Sequence, residues 1–244
     1  MLRVVGIAGY KEAGKTKVVE GLVKELVDRG YSVGTVKHVP KGGFTLDRPG
    51  TDTWRHAQAG SEMVVCLSPE ELAILERRKA DMDEVLLKML DLDFAVLEGF
   101  RESEGLAKIM VARSDGEAVD LADEFTVGFI GHGTGDRPVL KRGDFSALAD
   151  LVEKRAIPPV GGLDCGACDY SSCRDFALAA IIGDAPKDGC SAITGGVKLI
   201  IDGERVPLNP FVQNLIASTL AGMLSALEGG KGKKIDLEVT RSEG

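Results

Sequence analysis

The hydrophobic positions of this chain alternate between short continuous runs and stretches with helical spacing. Residues 2–8 form an apolar run, and from position 18 valine and leucine recur at helical spacing until Gly30. The segment that follows, 31–38, is predicted as a second strand. Continuous runs are typical of buried parallel strands, whereas the spaced residues form one face of a helix. The pattern therefore predicts a βαβ unit and a mostly parallel sheet with helices on both faces.

The same reasoning predicts further elements along the chain. Strands are expected over 63–67, 94–100, 108–113 and 125–131, and helices over 51–58, 83–90 and 145–155. Residues 72–75 stay open, because the preceding Ser-Pro-Glu-Glu resembles a helix start, while a tight turn into a strand fits equally well. Cys66 lies in the run 63–67, and we expect it to be buried as a small apolar residue.

A Gly-x-x-x-x-Gly-Lys-Thr motif at 9–16 separates the first strand from the first helix. In this context the motif predicts a phosphate-binding P-loop, in which backbone N–H groups and the helix N-terminus bind the phosphates. Lys15 would reach the β- and γ-phosphates, and the Thr16 hydroxyl would bind Mg²⁺. Glu98, at the end of the strand over 94–100, is the candidate for a second Mg²⁺ contact. The alternatives are a glycine-rich turn that binds nothing and an ordinary acid at a strand end.

Composition narrows the function classes. The chain has 244 residues, is 44% hydrophobic and 28% charged, and carries a formal net charge of −8. An acidic chain lacks the basic field that non-specific nucleic-acid binding needs. No apolar stretch approaches the roughly 20 residues of a membrane span. The N-terminal segment is a predicted strand rather than a signal peptide, so we expect a cytoplasmic protein.

Four of the five cysteines cluster late in the chain, at Cys165, Cys168, Cys173 and Cys190. In a cytoplasmic chain such clustering favours a metal site over disulfides. Zinc and iron–sulfur clusters both accept four cysteines, but the unequal spacing and the single C-x-x-C favour [4Fe–4S], with zinc as the alternative. Four thiols without a ligand are the third interpretation.

We expect three parts in the chain, separated by a linker rich in proline and glycine at 157–162. Residues 1–156 would form the P-loop domain, 163–195 the cysteine segment, and 196–244 a C-terminal β-β-α-β unit. That unit would comprise strands over 197–201 and 204–207, a helix capped by Asn209, and a last strand over 235–239.

Five segments in order, at 9–16, 29–38, 47–60, 97–100 and 107–109, resemble the molybdopterin-guanine dinucleotide biosynthesis protein B (MobB) family. The resemblance covers roughly residues 1–155. It implies a GTP-binding P-loop protein with slow GTPase activity, and a strand at 72–75. Such a protein assists the guanylyltransferase that converts a molybdopterin-type molybdenum cofactor to its guanine dinucleotide form, and the resemblance also implies a homodimer. Molybdenum and tungsten are not distinguished.

The resemblance and the motif together define the candidate site residues. The residues expected to contact nucleotide or cofactor are Gly9, Tyr10, Lys11, Glu12, Ala13, Gly14, Lys15, Thr16, Lys17, Lys37, His38, Asp47 and Asp115. Asp115 is included because it follows the strand after which an N/T-K-x-D motif usually reads guanine; the choice of GTP over ATP rests on the family. Lys15 and Arg55 are the catalytic candidates, Arg55 as an arginine finger.

The cysteine segment is similar to the four-cysteine [4Fe–4S] domain of corrinoid iron–sulfur proteins, although Asp169 stands where that domain usually has glycine. The main hypothesis is therefore a GTP- and Mg²⁺-binding accessory protein of molybdenum or tungsten cofactor biosynthesis with an added cluster. The alternative is a nucleotide-gated redox or cluster-carrier module that takes no part in cofactor guanylation. A purely structural cluster is the third hypothesis.

Overall fold

The computed structural model describes residues 1–160, 162–190, 192, 196–197, 199–201, 204–206, 208–227 and 235, with the backbone alone at 83, 87, 204 and 205. All structural statements below concern these residues.

A six-stranded sheet organises the described chain. Its strands are β1 (Arg3–Ala8), β2 (Val33–Lys37), β5 (Phe94–Glu98), β6 (Ala107–Ala112), β7 (Thr126–Gly131) and β8 (Val139–Leu140). The order is β2-β5-β1-β6-β7-β8, and every neighbouring pair is parallel. All six strands therefore end at the same edge, which is where ligands bind in open parallel sheets.

Helices cover both faces of this sheet. The helices of the described residues are α1 (Lys15–Asp28), α2 (Asp52–Gln58), α3 (Met82–Leu87), α4 (Asp115–Leu121), α5 (Phe145–Arg155), α6 (Cys173–Ile182) and α7 (Pro210–Leu224), and of these α1, α3, α4 and α5 pack on the sheet. Alternate residues of β1 point to opposite faces, as the strand period requires. Val5 and Ile7 pack in the core with α1 and α5, whereas Val4 packs with α3. The predicted α/β fold class is confirmed.

Residues 72–75, for which the sequence left helix and strand open, form a strand. Strand β4 (Leu72–Glu76) pairs antiparallel with β3 (Met63–Leu67), and the Ser68 backbone N–H donates to the Glu71 carbonyl oxygen at 2.9 Å. Ser-Pro-Glu-Glu is thus the turn of a hairpin rather than a helix start. Cys66 on β3 is exposed, so the expectation of burial is wrong. Burial fails because these two strands form a sheet of their own.

The cysteine segment packs on the P-loop part of the chain. Phe176 and Ile181 of α6 belong to the same buried cluster as Ile7. Ile157, at the start of the predicted linker, is 1% exposed and forms an isolated bridge with Val4. A shared core of this kind ties the two parts together, and the division into separate domains stays a prediction.

In the C-terminal part, β9 (Leu199–Ile201), β10 (Glu204–Val206) and α7 follow the predicted order, and the Asn209 side chain caps α7. The turn at 202–203 and positions 236–239 of the predicted last strand lie outside the described residues. Among the helices that the structure describes, none has the length and apolar character needed to cross a bilayer.

We expect Gly21→Ala to destabilise the protein, because a Cβ at Gly21 would lie 2.2 Å from the ring of Phe145 on α5. Such overpacking costs about 1–3 kcal/mol. The matched control is Gly222→Ala in α7, where nothing lies within 4 Å of the added Cβ. This control should leave stability unchanged or raise it by up to about 1 kcal/mol through helix propensity. Urea unfolding of both variants measures the difference, and equal stabilities would contradict the packing argument.

Candidate functional site

The loop at 9–16 curls over the carboxyl ends of β1 and β6. Gly9 has φ +152°, and a Cβ there would lie 2.5 Å from the Val111 carbonyl oxygen. Gly14, which precedes α1, has φ +91°. Side chains rarely adopt these backbone angles, so both positions of the motif depend on glycine. The loop geometry matches that expected of a phosphate-binding loop at a helix N-terminus.

The Lys15 ammonium group lies across this loop. Its Nζ donates to the carbonyl oxygens of Gly9 at 3.0 Å and Tyr10 at 2.7 Å. Burial lowers the pKa of Lys15 below its ordinary value, nearby Glu98 opposes this, and the like charge of Lys37 adds to it. An anion bound in the loop would offset the cost of holding this charge.

Glu98 links the loop to the neighbouring strand. Its Oε1 accepts hydrogen bonds from Thr16 Oγ1 at 2.9 Å and from Lys37 Nζ at 2.8 Å. The parallel register produces this meeting, because Glu98 on β5 pairs with Ile7 of β1 and with Lys37 of β2. The structure therefore brings together three of the predicted site residues. A carboxylate and a hydroxyl oxygen are donors that suit Mg²⁺.

His38 and Phe100 form an aromatic pair beside Glu98, with ring centroids 5.1 Å apart. The His38 backbone N–H donates to the Glu98 carbonyl oxygen at 2.9 Å. Gly99 has φ +102°, and a Cβ on it would lie 2.9 Å from His38 Cβ. Phe100 itself has φ +48°, a strained angle for a residue with a side chain. Such strain persists where surrounding contacts hold it, and it clusters at functional sites.

Two other predicted residues lie in the segment that follows His38. Asp47 Oδ1 accepts from the Arg48 backbone N–H at 2.9 Å and from the hydroxyls of Thr51 at 2.8 Å and Thr53 at 2.9 Å. Asp47 Oδ2 is buried and has no hydrogen-bond partner in the described structure. Arg55 on α2 forms an ion pair with Asp52 at 3.9 Å, and the described residues show no hydrogen bond from it to the loop at 9–16. The predicted role of Arg55 at the loop stays a prediction.

The other side of the loop carries the predicted Asp115 together with two residues that the sequence did not single out, His132 and Arg142. Asp115, at the start of α4, forms a hydrogen bond with His132 Nδ1 at 3.0 Å. His132 directly follows β7, so the ends of β6 and β7 meet at this pair. Arg142 contacts the loop itself, donating to the Ala13 carbonyl oxygen at 2.9 Å. No motif marks His132 or Arg142, because only strand pairing brings their segments to this edge.

The remaining loop side chains lie at its surface. The Tyr10 ring lies 5.7 Å from the Arg101 guanidinium carbon. Lys11 and Glu12 form an exposed ion pair at 3.8 Å, and Glu12 has φ +63°. Lys17 is exposed on α1. These contacts leave the inner side of the loop to backbone groups and Lys15.

All four predicted cysteine ligands line one small cavity beside α6. Its walls also include Phe176 and Ala192. None of the five cysteines is in a disulfide. Ser172 caps α6, so Cys173 lies in the first turn of the helix. The backbone N–H of Asp164 donates to Cys173 Sγ at 3.3 Å.

This donor set fits an iron–sulfur cluster, which takes four thiolates and is tuned by backbone hydrogen bonds to sulfur and by a dry surrounding. Within the described ranges, no three side chains among Cys, His, Asp and Glu lie in ready-made ion-binding geometry. The four cysteines therefore line one cavity, and their side chains would have to move closer together to bind a cluster.

Two family models match the chain. One, described as molybdopterin guanine dinucleotide synthesis protein B (MobB), matches residues 4–130. A "Putative molybdopterin-guanine dinucleotide biosynthesis adapter protein" of Methanocaldococcus jannaschii is 31% identical over 248 residues, covering 98% of this chain and 99% of that protein. The chain belongs to the MobB family. The second model, described as "Putative Fe-S cluster", matches residues 162–192 of this MobB chain, and the M. jannaschii relative spans that segment as well.

Other MobB relatives match a shorter part. The molybdopterin-guanine dinucleotide biosynthesis adapter protein of Haemophilus influenzae is 34% identical over 116 residues, which cover 46% of this chain and 64% of that protein. The crystal structure of Bacillus subtilis MobB matches with a TM-score of 0.54 at 22% identity, covering 62% of this chain and 96% of that one. A crystal structure of molybdopterin-guanine biosynthesis protein B gives a TM-score of 0.51, also at 22% identity, with 62% and 97% covered. The solved structures share the fold.

We expect Asp47→Asn to destabilise the protein near neutral pH. Burial alone would raise the pKa of Asp47, but hydrogen bonds from Thr51, Thr53 and the Arg48 backbone outweigh it and lower the pKa. A lowered folded-state pKa adds stability above the ordinary aspartate pKa, and this stability is lost as the pH falls through the lowered value.

The measurement is urea unfolding of wild type and Asp47→Asn between about pH 3 and about pH 7. The stability difference should be largest at the neutral end and shrink in acid. Asp52→Asn is the control, since its side chain is 88% exposed. A difference that is constant across this range would contradict the role of the Asp47 charge.

Proposed function

We propose that this chain is a GTP-binding adapter of molybdopterin guanine dinucleotide biosynthesis that also carries a [4Fe–4S] cluster. The observation that carries the proposal is the meeting of Thr16, Lys37 and Glu98 beside the loop that Lys15 spans. Backbone N–H groups that can donate to phosphate, an ammonium group and two oxygen ligands for a cation lie at one edge of a parallel sheet. The names of the relatives support the pathway.

In this proposal the phosphates of GTP replace the carbonyl oxygens of Gly9 and Tyr10 as acceptors for Lys15. Thr16 and Glu98 would hold Mg²⁺, which neutralises phosphate charge. Lys37 would then turn from Glu98 toward the phosphates, where its charge is better matched. These are electrostatic and positioning effects, which supply most of the catalysis in phosphoryl transfer.

We propose that hydrolysis is slow. Among the described residues Arg55 pairs with Asp52 and makes no hydrogen bond to the loop, and an arginine finger accelerates hydrolysis by about 10³–10⁵-fold where it is present. Asp115 would read the guanine base at the edge formed by β6 and β7, after releasing His132. Asp47, with its unpartnered Oδ2, and the ring pair of His38 and Phe100 would lie toward the molybdopterin-type cofactor.

The cluster would be held by Cys165, Cys168, Cys173 and Cys190, with zinc as the competing occupant. The apolar wall of Phe176 would keep it dry, which tunes its potential. We place the protein in the cytoplasm, where thiols are kept reduced and stay available as metal ligands.

We propose the molybdenum cofactor guanylyltransferase, serving molybdenum or tungsten, as the protein partner, and a second copy of the chain as a homodimer. The β3–β4 hairpin supports a protein contact. Five of its apolar side chains are exposed on one face, namely Met63, Val65, Leu67, Leu72 and Ile74. Contiguous apolar surface of this kind is typical of interfaces.

A nucleotide-gated redox or cluster-carrier module is the second candidate. A mechanical link between the two sites favours it. Arg29, after α1, donates to Asp150 and Glu153 on α5, and Arg155 on α5 donates to the Ile181 carbonyl oxygen of α6. In this candidate, GTP would shift the spectrum or potential of the cluster, and a redox-silent cluster that ignores GTP would exclude it.

We expect Lys15→Ala to abolish measurable Mg²⁺-GTP binding, because the loop then loses the ammonium group that lies across it. A loss of at least about 100-fold corresponds to roughly 3 kcal/mol. Isothermal titration with GTP and ATP measures it. Lys24→Ala is the matched control on the same helix, where the side chain is 81% exposed. Unchanged GTP affinity in Lys15→Ala would refute the nucleotide part of the proposal.

We expect the anaerobically purified protein to contain about four iron and four sulfide per chain. Cys190→Ser should lower both sharply, since one ligand is lost from the cavity. Cys66→Ser is the control, because Cys66 lies on the hairpin outside that cavity. Iron, zinc and sulfide analysis decides the matter, and zinc without iron would refute the cluster assignment.

A further inference from the structure

Arg142 connects the loop at 9–16 with the carboxyl end of β6, two segments that lie far apart in the sequence. Its Nη1 donates to the Ala13 carbonyl oxygen at 2.9 Å, inside the loop at 9–16. Its Nη2 donates to the Ala112 carbonyl oxygen at 3.1 Å, at the carboxyl end of β6. A guanidinium group can span two acceptors in this way because its donors form a rigid planar fork.

A turn before α5 positions Arg142 beside the loop at 9–16 and the end of β6. The Asp144 backbone N–H donates to the Lys141 carbonyl oxygen at 3.2 Å, and Gly143 between them has φ +90°. These are features of a tight turn that needs glycine at its third position. Asp144 then caps α5, so Arg142 is anchored by the helix that packs on α1.

The contact with Ala13 bears on the phosphate donors. The Ala13 carbonyl and the Gly14 N–H belong to one planar trans peptide unit, so they point in opposite directions. Arg142 holds this carbonyl, so the Gly14 N–H points away from the carbonyl's guanidinium partner, and in the proposed site it would donate to a phosphate. Gly14 also lies close to the guanidinium, since a Cβ on it would be 3.2 Å from Nη1.

The other end of the fork lies where the base is expected. Ala112 is the last residue of β6, shortly before Asp115. Gly131, the last residue of β7, also borders the group, because a Cβ there would be 3.2 Å from Nη2. Asp115 and His132, which follow these two strands, form the hydrogen-bonded pair described above.

The charge of Arg142 has no carboxylate at ion-pair distance within the described part of the chain, and both of its hydrogen bonds go to backbone carbonyl groups. An ionised donor makes such bonds stronger than neutral ones. The guanidinium group therefore orients the Ala13 and Ala112 carbonyl groups, and its positive charge would attract a polyphosphate.

We propose that Arg142 is a positioning residue that couples the phosphate-binding loop to the base-binding edge at β6 and β7. This inference rests on the proposed nucleotide binding. It assigns to one side chain the connection between the two halves of the nucleotide site in a chain that lacks an N/T-K-x-D motif.

The test compares Arg142→Ala, Arg142→Lys and the control Lys141→Ala, an exposed neighbour that loses the same charge from the same turn. The affinities for Mg²⁺-GTP and for inorganic tripolyphosphate are measured by titration, the β-phosphate resonance of bound GTP by ³¹P NMR, and fold integrity by urea unfolding. For Arg142→Ala we expect GTP affinity to fall about tenfold or more, tripolyphosphate affinity to fall less, and the β-phosphate resonance to move.

Arg142→Lys should recover only part of the affinity, because one ammonium group cannot span both carbonyl groups, and it carries the comparison if Arg142→Ala does not fold. Three results would overturn the proposal while leaving nucleotide binding intact: wild-type GTP affinity in Arg142→Ala, equal losses for GTP and tripolyphosphate, or full rescue by lysine. A wild-type protein that binds neither ligand would overturn both this inference and the proposed function.

Discussion

Parallel pairing of β1 with β5 on one side and β6 on the other is the constraint on which the rest of the structure depends. It places the ends of these strands at one edge, so that the P-loop, Glu98 and the segment before Asp115 become neighbours. The central strands are buried on both faces, and a register shift would move Glu98 away from Lys37 and Thr16. The core therefore determines the site geometry through the register of the sheet.

The charges at this edge are arranged for an anion. Lys37 lies close enough to Lys15 to contribute to the lowered pKa of Lys15, and within the described residues Glu98 accepts hydrogen bonds from both Thr16 and Lys37. Arg142 adds a third positive group behind the loop. In the proposed function a bound phosphate would relieve the mutual repulsion of these cations, so that ligand binding would also raise local stability.

The cysteine segment is joined to this machinery through α5. Its helix α6 contributes to the same core as α1, and Arg155 holds its carboxyl end. A cluster bound there would lie beside α6, whose position depends on its packing against α5. Any coupling between the two centres would travel through these contacts, as chains of packed elements with more than one arrangement can carry it.

The sequence by itself determined the local elements and the donor types. Apolar runs and helical spacing predicted the parallel sheet, the motif at 9–16 predicted the loop, and the spacing of four cysteines predicted one shared metal site. The prediction that Cys66 is buried was wrong, because burial of an apolar run depends on other elements packing against it, and the β3–β4 sheet leaves Cys66 exposed. Glu98 was predictable because it ends a buried strand after a recognisable motif. His132 and Arg142 were not, because carbonyl oxygens and strand ends from distant segments become their partners only when the sheet forms. Local propensity is encoded in neighbouring residues, whereas the register and the approach of non-local groups are decided by tertiary packing.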